Sequence, residues 1–340
     1  RRCVEHGDSI LATVRPGNKT YYYFRDCSFQ DIVSTGYAVL TPIKEISHPR
    51  FLYYAITSND FIAYLVQNEK GATYPAVDEK IITNGEIPFP PFDTQERIAN
   101  ILSAYDDLIE NNQKQIKLLE EAAQRLYKEW FVDFRFPGYE NAKFIDGIPE
   151  GWRKDVIDSK IEILSGYAFK SNDFDSDGKF KIVTIKNVKD GEFDGENVNC
   201  IIDIPTKMPS HCKLYDKDIL LSLTGNVGRV CMINGDGYLL NQRVAKLKSD
   251  IHSYTYCLFR SKYMFDKMNN LANGAAQQNL SPIKTGKIKV IFPTNELLSK
   301  FEVLVESIIS KINITNRNII KLTQARDHLL PKLMSGEIEV

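Results

Sequence analysis

Ile87-Pro88-Phe89-Pro90-Pro91-Phe92-Asp93-Thr94-Gln95-Glu96-Arg97-Ile98 ends one segment at a proline-marked break and opens a long helix. The same transition recurs 203 positions later, where Phe292-Pro293 takes the place of Phe89-Pro90. Asp93 with Glu96 fits a capping box, in which each side chain takes a free backbone N–H of the first turn. Beyond it Ile98, Ile101/Leu102, Tyr105, Leu108/Ile109, Ile116, Leu119, Ala122/Ala123 and Leu126 form one apolar stripe. The spacing predicts a helix over 93–131, about 58 Å long at 1.5 Å per residue, with Asn112 in its seam.

At the same offset Ile109, Ile116, Leu119, Ala122 and Leu126 fall on Ile312, Ile319, Leu322, Ala325 and Leu329. Gly71-Ala72 falls on Gly274-Ala275. The second helix is predicted over about 295–333, with Phe301, Leu304/Val305, Ile308 and Arg326 on its stripe. Pro331 loosens its last turn and Gly336 is the expected stop. A period this long excludes a solenoid and indicates two copies of a domain-plus-helix unit. The first helix carries 5 basic against 8 acidic residues and the second 6 against 4. Opposite signs favour pairing with each other. The expected fold is therefore α+β: two α/β globular domains joined by two long helices in an antiparallel coiled coil, with a pseudo-twofold repeat. Its segments are 1–92, 93–131, 132–292 and 293–340.

Within the first segment, Ile10 to Val14 and Thr20 to Phe24 are β-branched or aromatic runs bounded by turn residues. Residues 50–68 have helical spacing. In the second segment Phe180 to Ile185, Ile219 to Leu223 and Val244 to Leu247 are predicted strands.

Length and composition are those of a globular chain of 340 residues, and no apolar run is long enough to span a membrane. The first residue is Arg1, with no Met and no signal core, so the sequence is expected to start inside a longer one. Six scattered cysteines without a C-x-x-C pair read as reduced thiols of a cytoplasmic protein. His211-Cys212 is the nearest thing to a metal-ligand pair and reads as chance adjacency. The net charge of −1 hides an asymmetry: residues 206–293 sum to +8 and residues 132–205 to −5. A basic stretch in a neutral chain suits a phosphate-facing surface.

Catalytic motifs are missing from the sequence. There is no P-loop, dinucleotide fingerprint, nucleophile elbow or H-E-x-x-H, and no N-P-P-Y pocket for a flipped base. Several polar loops in and near the basic stretch have a base-reading composition instead. Thr224, Asn226 and Arg229 lie in a glycine-bearing loop after a predicted strand. Gln242 and Arg243 precede another strand. Gln277, Gln278 and Asn279 form an amide run, with Lys284 beyond it. Tyr167 and Lys170 belong to Ser-Gly-Tyr-Ala-Phe-Lys-Ser (165–171). Amides and guanidiniums suit base edges and phosphates.

These strings resemble the specificity subunit of type I restriction–modification systems. The resemblance rests on Gly-Asp-Ser-Ile-Leu-Ala-Thr-Val-Arg-Pro (7–16), Ser-Thr-Gly-Tyr-Ala-Val-Leu (34–40) and the 87–98 stretch. It continues through Ile-Pro-Glu-Gly-Trp (148–152), residues 165–170, Asp-Ile-Leu-Leu-Ser-Leu-Thr-Gly-Asn-Val-Gly (218–228), Leu-Asn-Gln-Arg-Val-Ala (240–245) and Leu-Leu-Pro-Lys-Leu-Met-Ser-Gly-Glu-Ile (329–338). It implies a non-catalytic, sequence-specific binder of double-stranded DNA, with two target recognition domains that each read half of a bipartite asymmetric site. The helix pair would set the spacing and dock methyltransferase subunits, two of them. A restriction/translocase subunit would join through that complex. S-adenosylmethionine, ATP and Mg would belong to the partners and no cofactor to this chain. Arg15, Thr35 and Tyr74 are the candidate DNA contacts of the first copy. Residues 146–205 have no counterpart before residue 1, so the first recognition domain is expected to lack its amino-terminal part. The alternative is a truncated relative serving mainly as a methyltransferase-binding scaffold.

Overall fold

Two helices, Phe92–Phe131 and Asn295–Ser335, are the longest elements of the protein. The computed structural model describes residues 2–27, 31–196, 198–272 and 278–340. Its contacts separate into two units, Arg1–Asn112 with Asn318–Val340, and Gln113–Arg317. Each long helix therefore changes units along its length.

In the first unit the strands Tyr21–Tyr23, Ser9–Ala12 and Tyr37–Leu40 form an antiparallel sheet in that order. Helices Pro49–Thr57 and Asn59–Gln67 cover it. The expected single helix over 50–68 is broken at Ser58. Its extended backbone ends the first helix, and its Oγ accepts the Phe61 N–H at 3.3 Å to start the next. Phe51, Tyr54, Ile98, Ala99, Leu102, Leu333 and Met334 form one buried cluster. The start of the first long helix thus packs against the end of the second, an antiparallel pairing. Asp106 ties the three elements, accepting from Tyr54 Oη and Arg326 Nη1, each at 2.6 Å.

The capping box does not form. Pro91 O accepts the N–H groups of Thr94 (2.9 Å) and Gln95 (3.0 Å), so the helix starts at Phe92 and Asp93 lies inside its first turn. Gln95, 1% exposed, makes the tie instead. It accepts from His48 N at 2.9 Å and donates to Ile46 O and Pro90 O.

In the second unit Val230–Met232, Ile219–Ser222, Val244–Lys248 and Glu162–Ser165 make an antiparallel sheet in that order. A second, mixed sheet orders Asn199–Ile201, Phe180–Val183, Tyr238–Leu240 and Lys213–Leu214, with the middle two parallel. Phe180–Val183 stops two residues short of the expected strand. Asn187 Oδ1 takes both the N–H (2.8 Å) and the hydroxyl (2.9 Å) of Thr184 and turns the chain out of the sheet. The central strand Ile219–Ser222 is buried along its whole length, as a strand covered on both faces must be.

Tyr127, Trp130 and Phe131 of the first long helix meet Phe301 of the second in an edge-to-face cluster, with Phe131 and Phe301 centroids 4.8 Å apart. Here the end of one helix meets the start of the other. Full burial of such rings contributes roughly 1.5–3 kcal/mol each, so these aromatics dominate the packing. Not all of the predicted stripe is covered. Leu108 and Leu304 are about half exposed, at 51% and 49%, while Val305 and Ile309 are fully buried. Asp216 latches the sheet to the second long helix, accepting from Asn313 Nδ2 at 2.9 Å and pairing with Arg317. Burial raises its carboxyl pKa, but Arg317, the Gly235 N–H and Asn313 outweigh this and hold it below the ordinary value.

Several local bonds recur in the two units. The N–H groups of Glu5 and Tyr215 donate to Asp8 Oδ2 and Asp218 Oδ2, each at 2.8 Å. Ser58 and Ser261 cap the same second helix, accepting from Phe61 N and Met264 N. Val77 N donates to Thr13 O as Leu280 N donates to Leu223 O. Shared local chemistry, more than residue identity, carries the repeat.

Candidate nucleic-acid interface

The central strand of the second unit, Ile219–Ser222, runs into the loop Leu223–Arg229, and Ser222 shapes that loop. Its hydroxyl, fully buried, donates to Asn226 O and accepts from Arg229 N at 3.1 Å. Gly225 and Gly228 take left-handed φ values of 71° and 81°, which glycine adopts at least cost. Backbone bonds bring the other loops to the same place. Leu223 N donates to Arg243 O at 3.0 Å and Leu280 N to Leu223 O at 2.7 Å. Thr224 pairs with Asn279 in an isolated bridge. Tyr167 N donates to Leu240 O at 2.8 Å, and Gln242 N to Tyr167 O at 2.9 Å. Gly166 lies so close against the Asn241 carbonyl that a Cβ would collide with it.

Tyr167, Thr224, Asn226, Arg229, Gln242, Arg243 and Asn279 therefore share one end of the sheet. Gln278 is exposed beside Asn279. Lys170 and Lys284 are exposed on the adjoining segments, Lys284 within the short helix Pro282–Gly286, and no bond ties either side chain to the cluster. Gln277 lies outside the described residues. Among the described residues Lys170, Arg229, Arg243 and Lys284 have no carboxylate partner. Nearby Lys246, Lys248 and Lys287 are neutralised by Asp218, Glu162 and Asp158. Unpaired cations on convergent polar loops can take up phosphates, and the amides among them can address base edges.

The first unit assembles the corresponding loops. Thr13 N and Oγ1 donate to Gly36 O at 2.9 and 3.0 Å, which brings Thr35 alongside. Arg15 N donates to Pro75 O at 2.7 Å, and its Nη2 reaches Thr73 O at 3.2 Å. The Arg15 guanidinium lies 5.6 Å from the centroid of the Tyr74 ring, which is 73% exposed. Arg15 itself is left-handed, at φ 51°. All three candidates of this copy are thus brought together.

The turn Thr184–Asn187 is a further part of the second-unit surface that pattern reading missed. Val183 O accepts from Asn241 N at 3.1 Å, so the turn begins beside the Asn241–Arg243 loop. A run of β-formers through Ile185 disguised it as strand. The only signal was Asn187, an amide able to end a strand by taking backbone N–H groups.

Among the described residues no group of three or more His, Cys, Asp or Glu side chains is placed to hold a metal, and no helix is long and apolar enough to cross a membrane. His211 instead bonds Ser165 O through Nε2 at 2.9 Å, and Cys212 is buried.

The family model described as the type I restriction modification DNA specificity domain matches residues 3–121 and 149–324. The chain is 28% identical over 304 residues to the type I restriction enzyme MjaIX specificity subunit of Methanocaldococcus jannaschii, covering 85% of this chain and 69% of that one. It is 24% identical to the type I restriction enzyme HindI specificity subunit of Haemophilus influenzae over a 403-residue alignment, covering 99% and 88%. A solved S subunit of a type I restriction-modification system from M. genitalium superimposes with a TM-score of 0.57 at 16% identity, covering 98% and 84%. That last likeness speaks for the fold.

Proposed function

This chain belongs to the type I restriction modification DNA specificity family, and from that premise we propose how it serves sequence specificity. Each unit reads one half of a bipartite, asymmetric site in double-stranded DNA. The second unit reads through Tyr167, Thr224, Asn226, Arg229, Gln242, Arg243 and Asn279, flanked by Lys170, Gln278 and Lys284. The first reads through Arg15, Thr35 and Tyr74. The helix pair sets the spacing between half-sites and docks methyltransferase subunits, which bring the chemistry and its cofactors. The observation that carries this reading is the repeated loop cluster: one backbone scaffold, occurring twice, presenting different side chains each time. Two copies with shared bonds and divergent tips suit two different half-sites.

The test is the methylation pattern of a cell carrying the full system. Arg243→Ala is expected to relax one half-site only, at about 1–3 kcal/mol for a lost base contact, and to leave the spacing unchanged. Equal relaxation of both halves would overturn the two-reader scheme. Lengthening both long helices by whole turns is expected to change the spacing and leave both half-sites intact.

A further inference from the structure

We propose that Lys186, held out by Asn187, is an additional phosphate-contacting residue of the second reading surface. The inference rests on the reading of that surface as a DNA-binding one. Phe180–Val183 runs parallel to Tyr238–Leu240, and the two strands end together, in register Val183 with Leu240. The segments leaving the two strands therefore emerge on the same side. After Leu240 comes Asn241–Arg243, part of the candidate surface. After Val183 comes Thr184–Asn187, joined to it by the bond from Asn241 N to Val183 O at 3.1 Å.

Two apolar contacts fix the turn more closely. Ile185 and Tyr167 pack on the same buried cluster, which includes Val183, Leu240 and Val244. Ile185 Cδ1 also lies 3.3 Å from where a Cβ of Gly225 would stand, so the turn abuts the Leu223–Arg229 loop as well. Lys186 is thus placed between two loops already assigned to DNA.

Asn187 gives the turn its rigidity. It is 2% exposed, and both ends of its amide are used. The oxygen accepts from Thr184 N and Oγ1, and the nitrogen donates to Asp194 O at 2.9 Å and Glu196 O at 3.4 Å. A buried amide satisfied on both sides holds a loop in one geometry, because releasing it would leave polar groups unpaired. Lys186, one residue before it, is exposed. Among the described residues its ammonium has no carboxylate partner, whereas neighbouring Lys189 is paired with both Glu192 and Asp194. The turn delivers one uncompensated positive charge to the surface. Lys186 also lies in the stretch whose summed charge is negative, which hid it from charge counting.

The test uses the full chain titrated with a mixed-sequence DNA duplex over a range of salt concentrations. Lys186→Ala is expected to weaken binding several-fold and to lower the slope of log affinity against log salt by about 0.9, the value for one phosphate. Lys186→Arg should restore both. Asn187→Ala should weaken binding in the wild-type background and add little to Lys186→Ala, which distinguishes positioning of Lys186 from a general loss of structure. If Lys186→Ala leaves affinity and slope unchanged while Lys284→Ala, at an exposed cation flanking the same surface, lowers them, this inference is wrong and the reading surface stands. If the unaltered chain does not bind the duplex, or neither substitution matters, the reading surface falls and the inference with it.

Discussion

Arg15 and Gly225 occupy the same place in two copies of one loop, and both are left-handed. The reverse exchange occurs at the other end of the strand, where Gly7 stands in the first copy and Lys217 in the second, again both left-handed. Glycine takes this conformation at little cost, whereas a side chain adds about 1–2 kcal/mol of strain. At each position one copy bears that strain, and each has a visible return. Lys217 reaches the second long helix, bonding Glu306 at 2.7 Å and Ser310 at 2.8 Å. Among the described residues Arg15 reaches no helix; its guanidinium bonds only the neighbouring loop, at Thr73 O (3.2 Å), and is held exposed over Tyr74. The second copy therefore uses strain to brace its scaffold, and the first uses it to hold a cation towards solvent.

The strongest way to break this comparison is to damage one copy's scaffold. Phe301→Ala empties a fully buried site in the second unit and should cost about 3–5 kcal/mol. Hydrogen exchange followed by mass spectrometry should show protection lost across Ile219–Ser222 and Val244–Lys248 and kept in Ser9–Ala12. Equal loss in both sheets would mean that the copies do not keep separate cores.

A milder exchange tests the strain directly. Gly225→Ala should cost about 1–2 kcal/mol in urea unfolding. Arg15→Gly should leave the unfolding midpoint level or raise it, and should weaken preference at the first half-site. A fall in stability from Arg15→Gly would show that the guanidinium braces the fold after all.

The smallest effect concerns acid. Asp216 has a depressed carboxyl pKa, so its contribution is present above the ordinary value of 3.8 and is lost as the pH falls through the lower, folded value. The latch is partly exposed, and solvent screening keeps its worth below about 1 kcal/mol. The first copy has His6 at this position, so acid weakening by this route is expected in the second unit alone. Asp216→Asn should flatten the dependence of the urea midpoint on pH across 3.8. An unchanged slope would remove the latch from the account.

Much of this molecule was legible because helices advertise themselves over long windows. Ile98, Leu102, Ala123 and Phe301 lie on the predicted seams and are buried. Local punctuation was harder to read. Ser58 divides a helix with a single hydroxyl, and Gln95 supplants a capping box through bonds to residues 46 and 48, far away in sequence. The loop cluster was legible in composition but not in assembly. Arg243 reaches Leu223, and Asn279 reaches Thr224, only through pairings that no periodicity announces. Thr184–Asn187 was lost for the same reason, since the parallel partner that ends beside it lies more than fifty residues further along the chain.

The first unit is built from both extremes of the described chain, and that has a consequence during synthesis. Phe51, Tyr54, Ile98 and Leu102 bury themselves against Leu333 and Met334. A ribosome adding about 5–20 residues per second needs on the order of ten to forty seconds to supply the missing partners. Through that interval an apolar surface stands uncovered while the second unit, contiguous in sequence, is synthesised. The copy translated first is thus the copy finished last, and it is the one expected to need chaperone protection in the cell.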